Sequence, residues 1–413
     1  AYQLTGESYY LKAAQAAADA LIWGQHSRGG WPYMLDFSGE TSLKQWYSKV
    51  QKGYIHCAQE HAHYYGNCTY DDAATYDSGM FLLRMYLLTL DPKYKYPVER
   101  CLDFVLESQY PIGGWPQRYP LHYEYVKGDK EDYTSFITIN DGVHTNNINF
   151  LLALLGETRA LEPLQRAMTC VLALQGGKPQ AGWAMQHKLD LNYSPGHARD
   201  FEPAGYAATA TAEMCRNLMR FYRWTGDTKY LARIPDAFEF LESIRYNDAQ
   251  MKQLGKSVKP GQILCPTFVE VGTNRPLYLH NDPDHYWVDY DYHGLITHYS
   301  STRAIDLQSL KDEYQHLLSL SKEEVTKDSP FIGQTDISGT LLSHLMRGKM
   351  QQADTQKVDS LLTILKKKDY LPGRLPSVSK ENPGFSNAPL PSEVISIKEY
   401  MNGMSTFIQY LTK

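Results

Sequence analysis

Gly29-Gly30-Trp31-Pro32 returns as Gly113-Gly114-Trp115-Pro116, and a looser Gly182-Trp183-Ala184 follows. A second element repeats with it. Thr5-Gly6-Glu7-Ser8-Tyr9-Tyr10 returns as Thr89-Leu90-Asp91-Pro92-Lys93-Tyr94 and again as Thr225-Gly226-Asp227-Thr228-Lys229-Tyr230. Thr5 precedes Trp31 by 26 residues and Thr89 precedes Trp115 by 26. Equal spacing marks one structural unit used repeatedly. Each unit reads as a helix, an acidic turn, a second helix and a glycine-tryptophan loop. The turn acid favours the positive N-terminus of the helix behind it.

Apolar residues recur at helical spacing over Leu11 to Ile22, Met80 to Leu90, Val98 to Glu107, Ile148 to Leu155 and Leu231 to Ser243. Helical hairpins in series must bury their apolar faces on one another, and a ring does so without a free end. The sequence therefore predicts an all-α protein, an α/α toroid (incomplete α/α barrel) with a few short strands. Ile137-Thr138-Ile139 and Thr267 to Val271 are the best strand candidates. No linker divides the chain, so 1–413 reads as a single domain. Asp369 to Ser392, rich in Pro, Gly and Ser, reads as a long surface loop before a last helix ending at Lys413. The three tryptophans are expected to seal the junctions between hairpins, with sugar stacking as the alternative.

Composition narrows the function. Lys and Arg number 41 against 46 Asp and Glu, a net charge of −5, which offers no basic stripe for nucleic acid. No run approaches the ~18 apolar residues of a membrane span. The 32 Tyr and 7 Trp against 13 Phe favour aromatics with a polar edge, which suit a wet, sugar-binding cleft or, alternatively, the half-buried positions of a helical protein. Cys57, Cys68, Cys101, Cys170, Cys215 and Cys265 show no zinc spacing and read as free, buried thiols. A helical segment opens near Ala1, so the chain is expected to be a mature or trimmed one, which says nothing against export. A monomer is expected.

In such a ring the longer loops gather at one end and line a cleft. Four of them carry chemistry: Thr69-Tyr70-Asp71-Asp72-Ala73-Ala74-Thr75, Thr138-Ile139-Asn140-Asp141-Gly142, Ala198-Arg199-Asp200-Phe201-Glu202-Pro203 and Gly272-Thr273-Asn274-Arg275-Pro276. Asp71, Asp72 and Asp141 stand at equivalent places in successive repeats and should converge. Clustered carboxylates are hard oxygen ligands suited to Ca²⁺. The alternative is that each aspartate only caps its helix.

Taken in order, these motifs, with Gly182-Trp183 and Gln186-His187 between them, resemble family 10 of the pectate lyases over Gly29 to Tyr278. The resemblance implies an α/α toroid that cleaves polygalacturonate by β-elimination with calcium. It implies that Arg199 is the base, that Asp141 belongs to the calcium site, and that Asp71 stands beside the scissile bond and contributes to the metal. Arg275 would hold a substrate carboxylate, and Asn140, Asp72 and Glu202 would join it in binding substrate. Three positions depart from the family pattern. Asp72 replaces an asparagine, Gly142 a second aspartate, and Tyr290-Asp291-Tyr292-His293-Gly294 an arginine-rich segment. His144, His197 and His293 could then supply another proton shuttle.

The chemistry fits those residue types. Elimination removes the C5 proton beside a uronate carboxylate and expels the 4-linked oxygen. Neutralising that carboxylate with Ca²⁺ and arginine stabilises the enolate-like transition state. Arginine must first lose a pKa above ~12 to act as base, which neighbouring cations promote. An ordinary salt bridge from Arg199 to Asp200 or Glu202 is the competing role.

The sequence thus predicts a polysaccharide lyase acting on an acidic plant polysaccharide or oligosaccharide, in a secreted, periplasmic or cell-surface location. Rivals are a hydrolase on the same ring using two of Asp71, Asp72, Asp141 and Glu202, and a non-catalytic glycan-binding relative. A terpene cyclase is disfavoured, because such a cavity is apolar and these loops are rich in Asn, Asp and Arg.

Overall fold

A computed structural model of the chain describes residues 1–53, 66–121, 131–282, 285–296, 299–331, 354–368, 371–373, 394–395 and 397–411. The chain falls into two compact units, residues 20–342 and residues 1–19 with 343–413. The first holds the three glycine-tryptophan loops and the four loops read as carrying chemistry.

Within residues 20–342 the helices pair in chain order. Ala74–Thr89 packs on Pro92–Glu107, Val143–Ala153 on Leu161–Ala173, and Ala208–Thr225 on Ile234–Ser243 and Leu307–Ser319. Successive hairpins also touch, Ala74–Thr89 with Val143–Ala153 and Leu161–Ala173 with Ala208–Thr225. This unit is an α/α toroid of helical hairpins with short strands, as the repeats predict. The acidic turns behave as read. Asp91 and Asp227 accept from the backbone of Lys93 and Lys229, and their own N–H groups donate to the Thr89 and Thr225 hydroxyls.

The glycine-tryptophan loops are junctions. Trp31, Trp115 and Trp183 are at most 2% exposed. Their indole N–H groups donate to Leu21, Val105 and Val171 carbonyls, each at 2.8 Å, at the end of the helix before the loop. A buried indole needs that partner, and the helix end leaves a carbonyl without one. Sugar stacking is closed to all three rings. A glutamine signature that the sequence reading missed accompanies them. Gln25, Gln109 and Gln175 each donate a side-chain amide to two backbone carbonyls, one in the loop and one in the next hairpin. Gly29 and Gly113 have φ of 103° and 105°. A Cβ there would stand 2.1 and 2.3 Å from the Arg100 and Arg166 carbonyl oxygens, so only glycine lets the hairpins approach.

More strands form than the sequence reading foresaw. Trp183–Ala184, Gly205–Ala207, Phe268–Glu270, Pro276–Asn281 and Tyr286–Asp289 make one antiparallel sheet, adjacent in that order. Ile137–Thr138 pairs with Gln186–His187, which pairs with Pro195–Gly196. Thr302–Ile305 pairs with Ile263–Pro266. Most run two to four residues, too short for alternation to register in sequence.

In the other unit, helices Thr355–Lys368 and Ile397–Leu411 pack together, with a short ladder of Pro372–Gly373 on Val394–Ile395. Buried Leu371 sits against Gly403, where a Cβ would collide with its side chain. Apart from 371–373, the stretch read as a surface loop over Asp369 to Ser392 lies outside the described residues. Cys68, Cys101, Cys170, Cys215 and Cys265 are free and buried, and Cys57 lies outside the described residues.

Candidate active site

The loop carboxylates are positioned by backbone stitching between hairpins. Thr69 N–H donates to the Trp31 carbonyl, and Tyr70 N–H to the Gln117 carbonyl of the next hairpin. Thr138 N–H donates to the Trp115 carbonyl, and Ile139 N–H to the Met185 carbonyl of the hairpin after that. The two stitched segments then make the same turn. Asp72 and Ala73 have φ of 49° and 60°, and Asp141 and Gly142 have φ of 52° and 68°. A left-handed non-glycine residue costs roughly 1–2 kcal/mol, so two in succession at Asp72-Ala73 are a marked local strain. At Gly142 glycine makes the turn without that cost.

None of the three aspartates caps a helix. The helices Ala74–Thr89 and Val143–Ala153 start after Ala73 and Gly142, with no side-chain cap at either position. The turn sends the carboxylates into the cleft instead. One oxygen from each of Asp71, Asp72 and Asp141 lies within 4.8 Å of the others. Ca²⁺ takes oxygens at ~2.3–2.6 Å, so three oxygens that close can share one ion. Although part of Asp141 meets solvent, its carboxylate is held above the usual range, first by its partly desolvated setting and then by the charge of Asp71, with Arg199 acting the other way. Mutual repulsion of this kind is what a bound cation relieves. The donor set therefore fits Ca²⁺.

Arg199 stands beside this cluster. Its Nη2 is 3.4 Å from Asp71 Oδ2 and its Nη1 is 3.2 Å from Glu202 Oε2. The arginine side chain is 19% exposed, while Asp71 and Glu202 are 4% and 2% exposed, so water screens the pairs poorly. Tyr299 donates its hydroxyl to the other Glu202 oxygen at 3.2 Å. Asn140 donates to Asp141 Oδ2 at 2.7 Å and accepts from Gln186, and Tyr33 donates to Asp72. Asp71, Asp72, Asn140, Asp141, Arg199 and Glu202 thus line one cleft of about 380 Å³.

The sequence model of the pectic acid lyases matches residues 36–295, more than half of the chain, and takes in all of these residues. The chain belongs to the pectic acid lyase family. A mutant of the family 10 polysaccharide lyase from Cellvibrio cellulosa, in complex with trigalacturonic acid, shares its fold with a TM-score of 0.52. The two are 19% identical over 76% of this chain and 97% of that one. A second structure of the Cellvibrio cellulosa family 10 lyase gives a TM-score of 0.47 at 19% identity, covering 82% of this chain and 95% of that one. A family 88 glycosyl hydrolase from Bacteroides vulgatus gives 0.34 at 16%, covering 77% and 88%. At 19% identity the first likeness is one of fold. No curated protein matches the chain.

This pectic acid lyase family member departs from the sequence expectations in three places. Arg275 is not among the residues that line the cleft. It is exposed, and its guanidinium lies 3.5 Å from the centre of the Tyr290 ring. Tyr290 in turn donates to Glu270. None of the three histidines is among the residues that line the cleft. His144 is fully buried, bonds the Ala167 carbonyl and packs on Trp115. His197 packs edge-on to Phe136, and exposed His293 pairs with Asp291 at 2.6 Å. Third, the cleft contains residues that the sequence reading did not select: Met185, Thr209, Glu213, Tyr299 and Arg303. Glu213 carries a raised pKa from burial and accepts from Thr145. Tyr299 and Arg303 stand outside the repeats, on the way into and within the strand Thr302–Ile305, where no motif marks them.

No helix among the described residues is long and apolar enough to cross a membrane.

Proposed function

We propose that this protein is a secreted polysaccharide lyase that cleaves a pectate-like acidic polysaccharide by calcium-assisted β-elimination, with Arg199 as the base. One observation carries the reading: in a member of the pectic acid lyase family, a single carboxylate, Asp71, serves both the three-aspartate cluster and Arg199.

Asp71, Asp72 and Asp141 would hold the ion. Bound Ca²⁺ supplies positive charge against the uronate carboxylate, which acidifies the neighbouring C5–H. Arg199 takes the C5 proton, the C4–C5 double bond forms as the C4–O bond breaks, and the departing oxygen is protonated from solvent.

The neighbours of Arg199 decide whether it can accept a proton. Asp71 and Glu202 favour the charged guanidinium, and Arg303 in the same cleft favours the neutral form. Charge that Asp71 gives to the metal cluster is withdrawn from Arg199, so metal holding and base strength meet at one carboxylate. Asn140 fixes Asp141, and Tyr299 fixes Glu202 and through it Arg199.

The test is the ultraviolet absorbance of the unsaturated uronate released from polygalacturonate, measured with chelator and then with calcium restored. The expected course is loss and recovery. New reducing ends without new absorbance would instead mark a hydrolase.

A further inference from the structure

An acidic chain entering this cleft meets many carboxylates. Asp71, Asp72, Asp141, Glu202 and Glu213 all line it, and among the described residues the cations facing them are Arg199 and Arg303. Arg199 is already committed, since Asp71 takes one of its nitrogens and Glu202 another. Arg275 is outside the cleft, stacked on Tyr290.

Arg303 is placed differently. It sits in the strand Thr302–Ile305, opposite buried Cys265, and its guanidinium lies 5.3 Å from the centre of the Tyr299 ring. Its Nε is buried and has no hydrogen-bond partner among the described residues. No carboxylate among the described residues pairs with it either, although five of them line the same space. Arg303 thus lines the cleft with a charge that none of these carboxylates takes up at contact distance, which leaves it for a ligand carboxylate. The ring under Arg303 is also the one whose hydroxyl holds Glu202, so Arg303 is linked to Arg199 by Tyr299 and Glu202. A planar fork held over an aromatic face is suited to gripping a carboxylate with two parallel bonds.

We propose that Arg303 binds a uronate carboxylate of the substrate in this cleft, and that it sets the preference for free uronates over their methyl esters. The proposal rests on the lyase reading above. It moves the substrate-holding role from Arg275 to a residue on another strand. A methyl ester offers Arg303 neither the charge nor the second equivalent oxygen.

The experiment compares wild type, Arg303→Gln and Arg303→Lys on polygalacturonate and on methyl-esterified pectin. Calorimetric binding of trigalacturonate is measured alongside. Arg303→Gln should raise KM on polygalacturonate at least ~10-fold, lower kcat far less, and weaken trigalacturonate binding by a similar factor. Its preference for the free acid should fall by about the same ratio. Arg303→Lys, which keeps the charge and loses the fork, should recover part of the loss with an unchanged melting temperature, so the test survives if the glutamine variant folds poorly. An active wild type whose variants keep its KM, preference and trigalacturonate affinity overturns the role of Arg303 alone. A wild type that neither releases unsaturated product nor binds trigalacturonate overturns the lyase reading and this role together.

Discussion

Asp71 Oδ2 and Arg199 Nη2 stand 3.4 Å apart although 128 residues separate them in the chain. The pair forms because Asp71 sits on a turn stitched between two hairpins and Arg199 on a loop between two strands of different sheets. Neither residue has a local reason to be where it is. Their meeting is a product of the ring.

The carboxylate of Asp71 serves two partners, so its removal should be felt twice. Asp71→Asn is expected to raise the free calcium needed for half-maximal activity by ~10-fold or more, because ligand charge sets affinity at such sites. It should also lower the rate at saturating calcium. Asp72→Asn, the residue usual in the family, should cost much less on both counts. Activity titrated against buffered calcium reads both variants. Equal, small effects would remove Asp71 from the metal cluster.

The tryptophan junctions predict a loss of stability without a loss of recognition. Trp115 is fully buried and its indole N–H reaches the Val105 carbonyl. Trp115→Ala should cost ~3–5 kcal/mol, the range for deleting a large buried aromatic. Urea unfolding measures it, and glycan binding by the folded fraction should be unchanged. Normal stability with lost binding would return these rings to the substrate.

Two buried histidines set an acid limit. Burial holds His144 and His187 neutral, with pKa values lowered to about 4. The unfolded chain takes up these protons near pH ~6.5, so it binds more protons than the native state between the two values. Stability contributed by the neutral rings is complete above that range and is lost as pH falls through it, by roughly 3 kcal/mol per histidine. Denaturant midpoints measured near pH ~7 and ~5 should differ accordingly. A flat profile across that interval would show that these rings are not held neutral.

Much of this was legible in sequence, and the reason is repetition. Trp31 and Trp115 at equal distances from Thr5 and Thr89 reveal a hairpin unit, and Asp71 and Asp141 fall at matching places in it. The partners of those residues were hidden. Gln25 and Gln109 each stand 6 residues before their tryptophan, so the repeat carries them too, but a glutamine gives no composition signal and Gln175 breaks the spacing. Tyr299 and Arg303 enter the cleft from outside the repeats, through a strand ladder that pairs residues about 40 apart in sequence. The placement of Arg275 was hidden for the converse reason. Its motif is local, but whether a side chain turns to the cleft or onto Tyr290 depends on a hairpin partner that no motif records.

The central claim is that Arg199 removes the C5 proton, and turnover of Arg199→Lys beside wild type tests it most directly. Lysine keeps the positive charge near Asp71 and Glu202 but misplaces the nitrogen that meets the proton. Initial rates on polygalacturonate at saturating calcium, read by ultraviolet absorbance, should fall at least ~10²-fold while substrate affinity changes little. Equal turnover in wild type and Arg199→Lys would contradict the account, leaving Arg199 as a salt bridge between Asp71 and Glu202 and nothing more.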